Sequence, residues 1–115
     1  MASTDILDPK TRQAVDEFLL KVTARYEVTG AILYGSRARK SHRSDSDADV
    51  AVLLRGRKGR FVATKLDMAD LAYDVLLETG IRIQPLPLWE GEWDEPEAYS
   101  NPTLLANIAR EGIRL

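Results

Sequence analysis

Residues 34 to 50 read YGSRARKSHRSDSDADV, and three features of that stretch are suited to chemistry: the Gly35-Ser36 pair, a cluster of cations, and the carboxylates of Asp47 and Asp49. The two aspartates open the apolar run from Val50 to Leu54. Side chains two apart on a strand share a face, so Asp47 and Asp49 project together while the small Ala48 turns the other way. Like charges held side by side repel and are costly unless a cation joins them. A hard divalent ion, Mg²⁺ first, meets that need with oxygen ligands and shares its shell with water and substrate phosphates. Asp45 keeps the same two-residue register but falls in the preceding loop, as a bystander or a capping residue.

Gly35-Ser36 closes the apolar run Ala31-Ile32-Leu33-Tyr34. A glycine after a strand lets the backbone turn tightly and approach a ligand. If a helical turn begins at Ser36, its amides and hydroxyl suit phosphate, and Arg37 and Arg39 are placed to add positive charge. Taken singly these are bland features: Gly-Ser is a turn, Asp-x-Asp a solvated loop, and the cations a solvated face. Together, Gly-Ser, ten intervening residues and Asp-x-Asp, framed by two buried strands, read as two halves of one phosphate-and-metal site.

The rest of the chain must position those halves. Asp8-Pro9 is a helix start, and Val15, Phe18, Leu19, Val22 and Tyr26 give one apolar face down a helix of about five turns that Gly30 ends. Residues 31–34 and 50–54 are buried strands, and residues 37–46 are a loop or one short helical turn. Residues 55–60 form a basic loop, and residues 61–79 a helix with Leu66, Ala69, Tyr73 and Leu76 at helical spacing and Gly80 at its C-terminal cap. The run from Ile81 to Leu88 carries Pro85 and Pro87, so it is an edge strand or one that breaks at Pro85. An irregular acidic segment, residues 89–101, leads to a helix that Asn101-Pro102 caps and Gly112 stops, with Leu104, Leu105 and Ile108 as core. This order predicts an α/β (α+β) protein, a small mixed sheet packed against helices, whose strand order the pattern leaves open.

Composition narrows the function classes. The chain has 115 residues, 44% hydrophobic and 30% charged, which fits one globular domain spanning 1–115. A net charge of −2 gives no global field for nucleic acid, and the absence of cysteine excludes disulfides, thiol catalysis and Cys-based zinc sites. No basic stretch followed by an apolar one suggests a signal peptide in MASTDILDPKTR, and no apolar run approaches the ~18 residues of a membrane span. The expectation is a cytoplasmic protein with no membrane partner.

On the pattern LYGSRARKSHRSDSDADVAVLL, together with the flanking helices, the third strand and the tail NPTLLANIAREG, the sequence resembles minimal nucleotidyltransferases of the DNA polymerase β superfamily. The resemblance implies a nucleotidyltransferase-like fold, contact of Ser36 with the nucleotide's triphosphate at the site read above for Gly35, Arg37 and Arg39, and Mg²⁺ held by the catalytic Asp47 and Asp49. It implies transfer of a nucleoside monophosphate, usually AMP from ATP as substrate, with release of pyrophosphate. Stand-alone members are commonly encoded beside a small helical HEPN-type toxin that they neutralise, often by adenylylating it, so the chain resembles such an antitoxin. Active members carry a third carboxylate on the next strand, and the equivalent position here is Gln84, which offers a neutral oxygen and cannot act as a general base. Neither Arg82 nor Leu86, its same-face neighbours, replaces it.

Three outcomes follow. The metal or a partner residue activates the acceptor; one of Glu90, Glu92 and Asp94 folds back into the site; or the domain binds nucleotide without transferring it. Two function classes stand against each other: a Mg²⁺-dependent nucleotidyltransferase acting on a hydroxyl of a partner protein or RNA, and a catalytically impaired nucleotide-binding antitoxin or regulatory subunit that masks its partner. A small-molecule transferase of the aminoglycoside type is disfavoured by the lack of a second domain. His42, the one histidine, reads as an exposed loop residue without a role. The loop from Arg55 to Arg60 reads as solvated surface or as a contact to nucleotide phosphates or RNA. Trp89 and Trp93 read as covers for the core edge or a partner surface.

Overall fold

The computed structural model describes residues 7–115. The first six residues, where the stretch read for a signal peptide begins, lie outside the described residues. Helix α1 spans Pro9–Thr23, strand β1 Val28–Tyr34, the short helix α2 Ser36–Arg39, strand β2 Ala48–Leu54, and helix α3 Phe61–Thr79. Strand β3 (Ile83–Trp89), the short helix α4 (Glu90–Asp94), a 3-10 turn (Pro96–Ala98), helix α5 (Pro102–Glu111) and the two-residue strand β4 (Ile113–Arg114) complete the fold. The four strands lie in the order β3-β2-β1-β4, with β1 antiparallel to β2 and β4, and β2 parallel to β3. This is the mixed sheet that the sequence predicts. Among the described residues no helix is long and apolar enough to cross a membrane.

Alternation along the strands divides the core between the two faces of the sheet. Ala31, Leu33, Ala48, Val50, Val52, Leu54 and Ile83 face α1 and α3, against Phe18, Met68 and Val75. Ile32, Ala51, Leu53, Leu86 and Leu88 face α5, against Leu105 and Ile108. Trp89 joins the first cluster and Trp93 packs on the second, so both cover core edges as expected.

The helix starts follow their caps. Asp8 accepts the Thr11 amide at 2.9 Å, with Pro9 as the first helical residue, and Asn101 accepts the Leu104 amide at 3.1 Å ahead of Pro102. One helix end needs correction. Helix α1 ends at Thr23, and Gly30 lies within β1, where the pairing with β2 shifts register between Val28 and Gly30. Helix α3 has the predicted bounds, and Gly80 takes the left-handed conformation (φ +79°). The buried face of α3, however, is Thr64, Met68, Leu71, Ala72 and Val75, while Leu66 and Tyr73 are exposed, because this helix is apolar on both sides. Strand β3 is the edge strand, and it runs unbroken through both prolines. Ala48 N–H donates to Arg82 C=O at 2.9 Å, so even-numbered residues of β3 face β2, and the missing donors of Pro85 and Pro87 point to the open edge.

Candidate active site

The sheet register assembles the site. Asp49 stands between Tyr34 of β1 and Gln84 of β3, and all three side chains lie on the α5 side of the sheet. Asp47 precedes β2 on the same parity, and Gln84 Nε2 donates to its Oδ2 at 3.0 Å. Ala48 points into the opposite core and is fully buried there, as the two-residue alternation requires. The two carboxylates therefore converge at the N-terminal end of β2, with an amide as their third neighbour. Among the described residues, no third aspartate, glutamate, histidine or cysteine joins them in a group able to hold a metal.

Gly35 follows β1 with φ +77°, a backbone conformation that L side chains rarely adopt. A Cβ at this position would collide with the Asp49 carboxylate, so the turn and the acid are in direct contact. The helical turn of α2 begins at Ser36, where the amides of Ala38 and Arg39 both donate to Gly35 C=O at 3.1 Å. Lys40 ends α2 in the left-handed conformation. The structure thus brings Gly35, Ser36, Asp47 and Asp49 to one edge of the molecule.

The two arginines of α2 part ways. Arg39 is exposed, pairs with Glu111 at 3.3 Å, and its charge partly opposes the rise of the Asp49 pKa described below. Arg37 does not point to the mouth of the site. It is 3% exposed, and its guanidinium donates to Thr11 Oγ1 at 2.8 Å, to Ser46 C=O at 2.8 and 2.9 Å, and to Ser44 C=O at 3.2 Å. The fork geometry of arginine suits several carbonyls at once, so Arg37 is the internal tie of the loop between α2 and β2. Its expected place beside a triphosphate is corrected accordingly.

The same tie reaches α1. The Thr11 hydroxyl, fully buried, donates to Asp8 at 2.6 Å, and His42 Nε2 lies 3.0 Å from Asp8 Oδ2. His42 is half-buried and its Nδ1 has no partner among the described residues, so it is a wedge between loop and helix and not the exposed residue the sequence suggests. Burial pushes the Asp8 carboxyl up, but the Thr11 hydrogen bonds and the charges of His42 and Arg37 outweigh it, leaving the pKa below the ordinary 3.8. Thr11 is a support of this loop that sequence reading overlooked, and Asp8 was read only as the helix cap. The signal was a threonine on the apolar face of α1, three residues after the cap.

At the carboxylates the electrostatics run the other way. Burial and then the neighbouring charge of Asp47 raise the Asp49 pKa above 3.8, against the smaller effect of Arg39. Tyr34, pushed up to about 12 by burial and by Asp49 and Tyr99, keeps its proton beside the acids. Tyr34 too was overlooked, although its parity with Ile32 places it on the face of Asp49 once the strands pair. The donor set fits a hard cation: two oxygen acids on one face, mutual repulsion that a positive ion relieves, and an adjacent amide. A cleft of about 330 Å³ between Trp93, Pro96, Pro102 and Leu105 is apolar and does not include the acids.

The later acids stay out. Glu90 accepts the Gly56 amide at 2.9 Å and Glu92 the Trp89 amide at 3.3 Å, at the C-terminal end of β2, where Trp89 pairs with Leu54. Five residues of strand, about 17 Å, separate that end from Asp49. Asp94 lies beside Thr29, Leu53 and Arg114. In the loop from Arg55 to Arg60, Arg55 pairs with Glu27 at 2.9 Å.

The family model described as "Polymerase beta, Nucleotidyltransferase" matches residues 17–86, which include β1, α2, β2, α3 and the start of β3 with Gln84. A candidate nucleotidyltransferase from Sulfolobus solfataricus, known from a crystal structure at 1.40 Å resolution, has the same fold. The TM-score is 0.53 at 24% identity, over 71% of this chain and 69% of that one. No curated protein matches at a significant level.

Proposed function

The chain belongs to the polymerase beta nucleotidyltransferase family, whose domain serves nucleotidyl transfer, and we propose that it transfers AMP from ATP, with Mg²⁺, to a hydroxyl of a partner protein or RNA. The observation that carries this reading is the convergence of Asp47 and Asp49 on Gly35, where no side chain fits between turn and acid. Asp47 and Asp49 would hold the metal, and Gly35 and Ser36 the triphosphate, with Arg39 adding charge from the exposed side of α2. Mg²⁺, when bound, would neutralise charge on the transferring phosphoryl group and align nucleophile with leaving group. Arg37 and Thr11 keep the loop in place so that the acids and the turn stay in register. The proton of Tyr34 stays on at neutral pH, so its hydroxyl acts as a neutral neighbour of Asp49.

Gln84 favours a second reading. Its amide donates to Asp47 at 3.0 Å, stabilising the carboxylate without offering a base. On this reading the domain binds nucleotide and masks its partner. By family likeness, the partner in either case is a small helical toxin of the HEPN type, met in the cytoplasm.

Incubation with labelled ATP, Mg²⁺ and lysate from the source cell tests both. Label incorporation with pyrophosphate release, lost in Asp47→Asn, supports transfer. A silent wild type that binds ATP and gains transfer on Gln84→Asp supports masking. Failure of the wild type to bind nucleotide with Mg²⁺ sinks both.

A further inference from the structure

Five large apolar side chains are strongly exposed among the described residues, and four of them lie on α3: Val62 at 67%, Leu66 at 62%, Tyr73 at 58% and Leu77 at 68%. With exposed Ala69 they recur at three- and four-residue steps, one straight stripe about 22 Å long on the side opposite the buried face. Solitary exposed leucines are ordinary, but a continuous stripe marks a contact surface. The surface charge around it is asymmetric. On the side toward α1 stand Asp67, Asp70, Asp74 and Glu78. Asp67 and Glu78 are taken by Arg25 at 2.6 Å and Lys21 at 3.5 Å, which tie α3 to α1 and the turn that follows it. Asp70 and Asp74 pair with no described residue. On the other side, toward the open edge of β3, stand Lys65 and Arg82.

A shallow groove of about 140 Å³ continues the stripe, lined by Lys65, Ala69, Tyr73, Leu76 and Arg82, and it ends at Gln84 and Pro85. The apolar surface therefore runs up to the residue that hydrogen-bonds Asp47.

We propose that the outer stripe of α3 seats an amphipathic helix of a partner protein, with a basic rim of that helix facing Asp70 and Asp74. This rests on the reading that the partner is a protein, and gives it a place. Charge favours this occupant over an antiparallel second copy. A second copy, paired antiparallel about a two-fold axis, would set the acidic rims of both α3 helices on one side of the interface and the basic rims on the other. Like charges meeting along a rim disfavour that pairing, whereas a basic rim complements the two unpaired aspartates. Helix-in-groove recognition uses this pattern of anchors at three- and four-residue spacing. The acidic rim also repels the headgroups of an anionic membrane, which an apolar stripe alone would not.

The test uses the full chain and two synthetic helical peptides with the same leucine stripe, one with a lysine rim and one with a glutamate rim, followed by fluorescence anisotropy. The lysine-rim peptide is expected to bind at least about tenfold tighter, and Asp70→Lys/Asp74→Lys to reverse the order. Leu66→Glu, at an exposed position and harmless to the fold, is expected to weaken binding at least about tenfold. Equal binding of both peptides, binding of neither, or binding unchanged by Leu66→Glu overturns the proposal. So does a dimer in sedimentation velocity that Leu66→Glu dissociates, which would make a second copy the occupant. Binding of ATP with Mg²⁺ is expected to be unaffected by Leu66→Glu and to be lost in Asp47→Asn, so failure of this docking face and failure of the nucleotide site show in separate measurements.

Discussion

Acidic side chains stand near both ends of β2 in opposite circumstances. At the C-terminal end, Glu90 and Glu92 each accept a backbone amide, from Gly56 and Trp89, and help close the connection from β3 into α4. At the N-terminal end, Asp47 and Asp49 stand together with a glutamine amide and a glycine as neighbours, and Asp49 is harder to ionise than an ordinary aspartate. An acid that satisfies amides supports a fold. An acid set against another acid is a cost to the fold that a ligand can remove, and such costs cluster at functional sites.

Substitutions at the two ends should separate these roles. Asp47→Asn and Asp49→Asn are expected to lower labelled-nucleotide transfer at least about 100-fold. Asp49→Asn should also raise the melting temperature by a few degrees, as removal of repulsion worth about 1 kcal/mol would. A lower melting temperature would show that the aspartate pair supports the fold after all. Arg37→Ala leaves several carbonyls of the loop without a donor and should cost about 3 kcal/mol in urea denaturation. Gln84→Asp is expected to raise transfer about tenfold or more in Mg²⁺ while lowering stability without it. Glu90→Ala should cost about 1 kcal/mol and leave transfer unchanged, since its carboxylate serves only the Gly56 amide.

The smallest effect is in pH dependence, where two aspartates pull in opposite directions. Asp8 has a lowered pKa, so its contribution is present above the ordinary 3.8 and is lost as pH falls through the lower folded value. Asp49 has a raised pKa, so its penalty is full at neutral pH and relaxes as pH falls through the higher folded value. Stability followed from pH 7 toward pH 4 should therefore rise slightly in the wild type, by less than about 1 kcal/mol, and stay flat in Asp49→Asn. A matching rise in both proteins would remove Asp49 as its source.

The legible parts of the fold were those with local causes. Asp8-Pro9, Asn101-Pro102 and Gly80 fixed helix ends because caps act within one turn. The Gly-Ser and Asp-x-Asp halves could be read from strand alternation. Three features depended on distant partners and were not legible. The buried face of α3 was not legible because Leu66 and Tyr73 repeat as regularly as Met68 and Val75, and periodicity does not say which stripe meets the sheet. Arg37 looked like its neighbour Arg39 until Thr11 and the carbonyls of Ser44 and Ser46 surrounded it. Strand β4 is too short to leave a pattern, and exists because Gly112 lets the chain turn back against Ile32.

Pro85 and Pro87 have a consequence for how copies of this chain can meet. An open sheet edge is a template on which another strand can add, and repeated addition builds fibres. With both prolines turned outward, the exposed edge of β3 lacks the donors for a continuing ladder. Growth of the sheet past β3 is blocked in the covalent structure itself. Fibril seeding from this edge requires replacing the prolines.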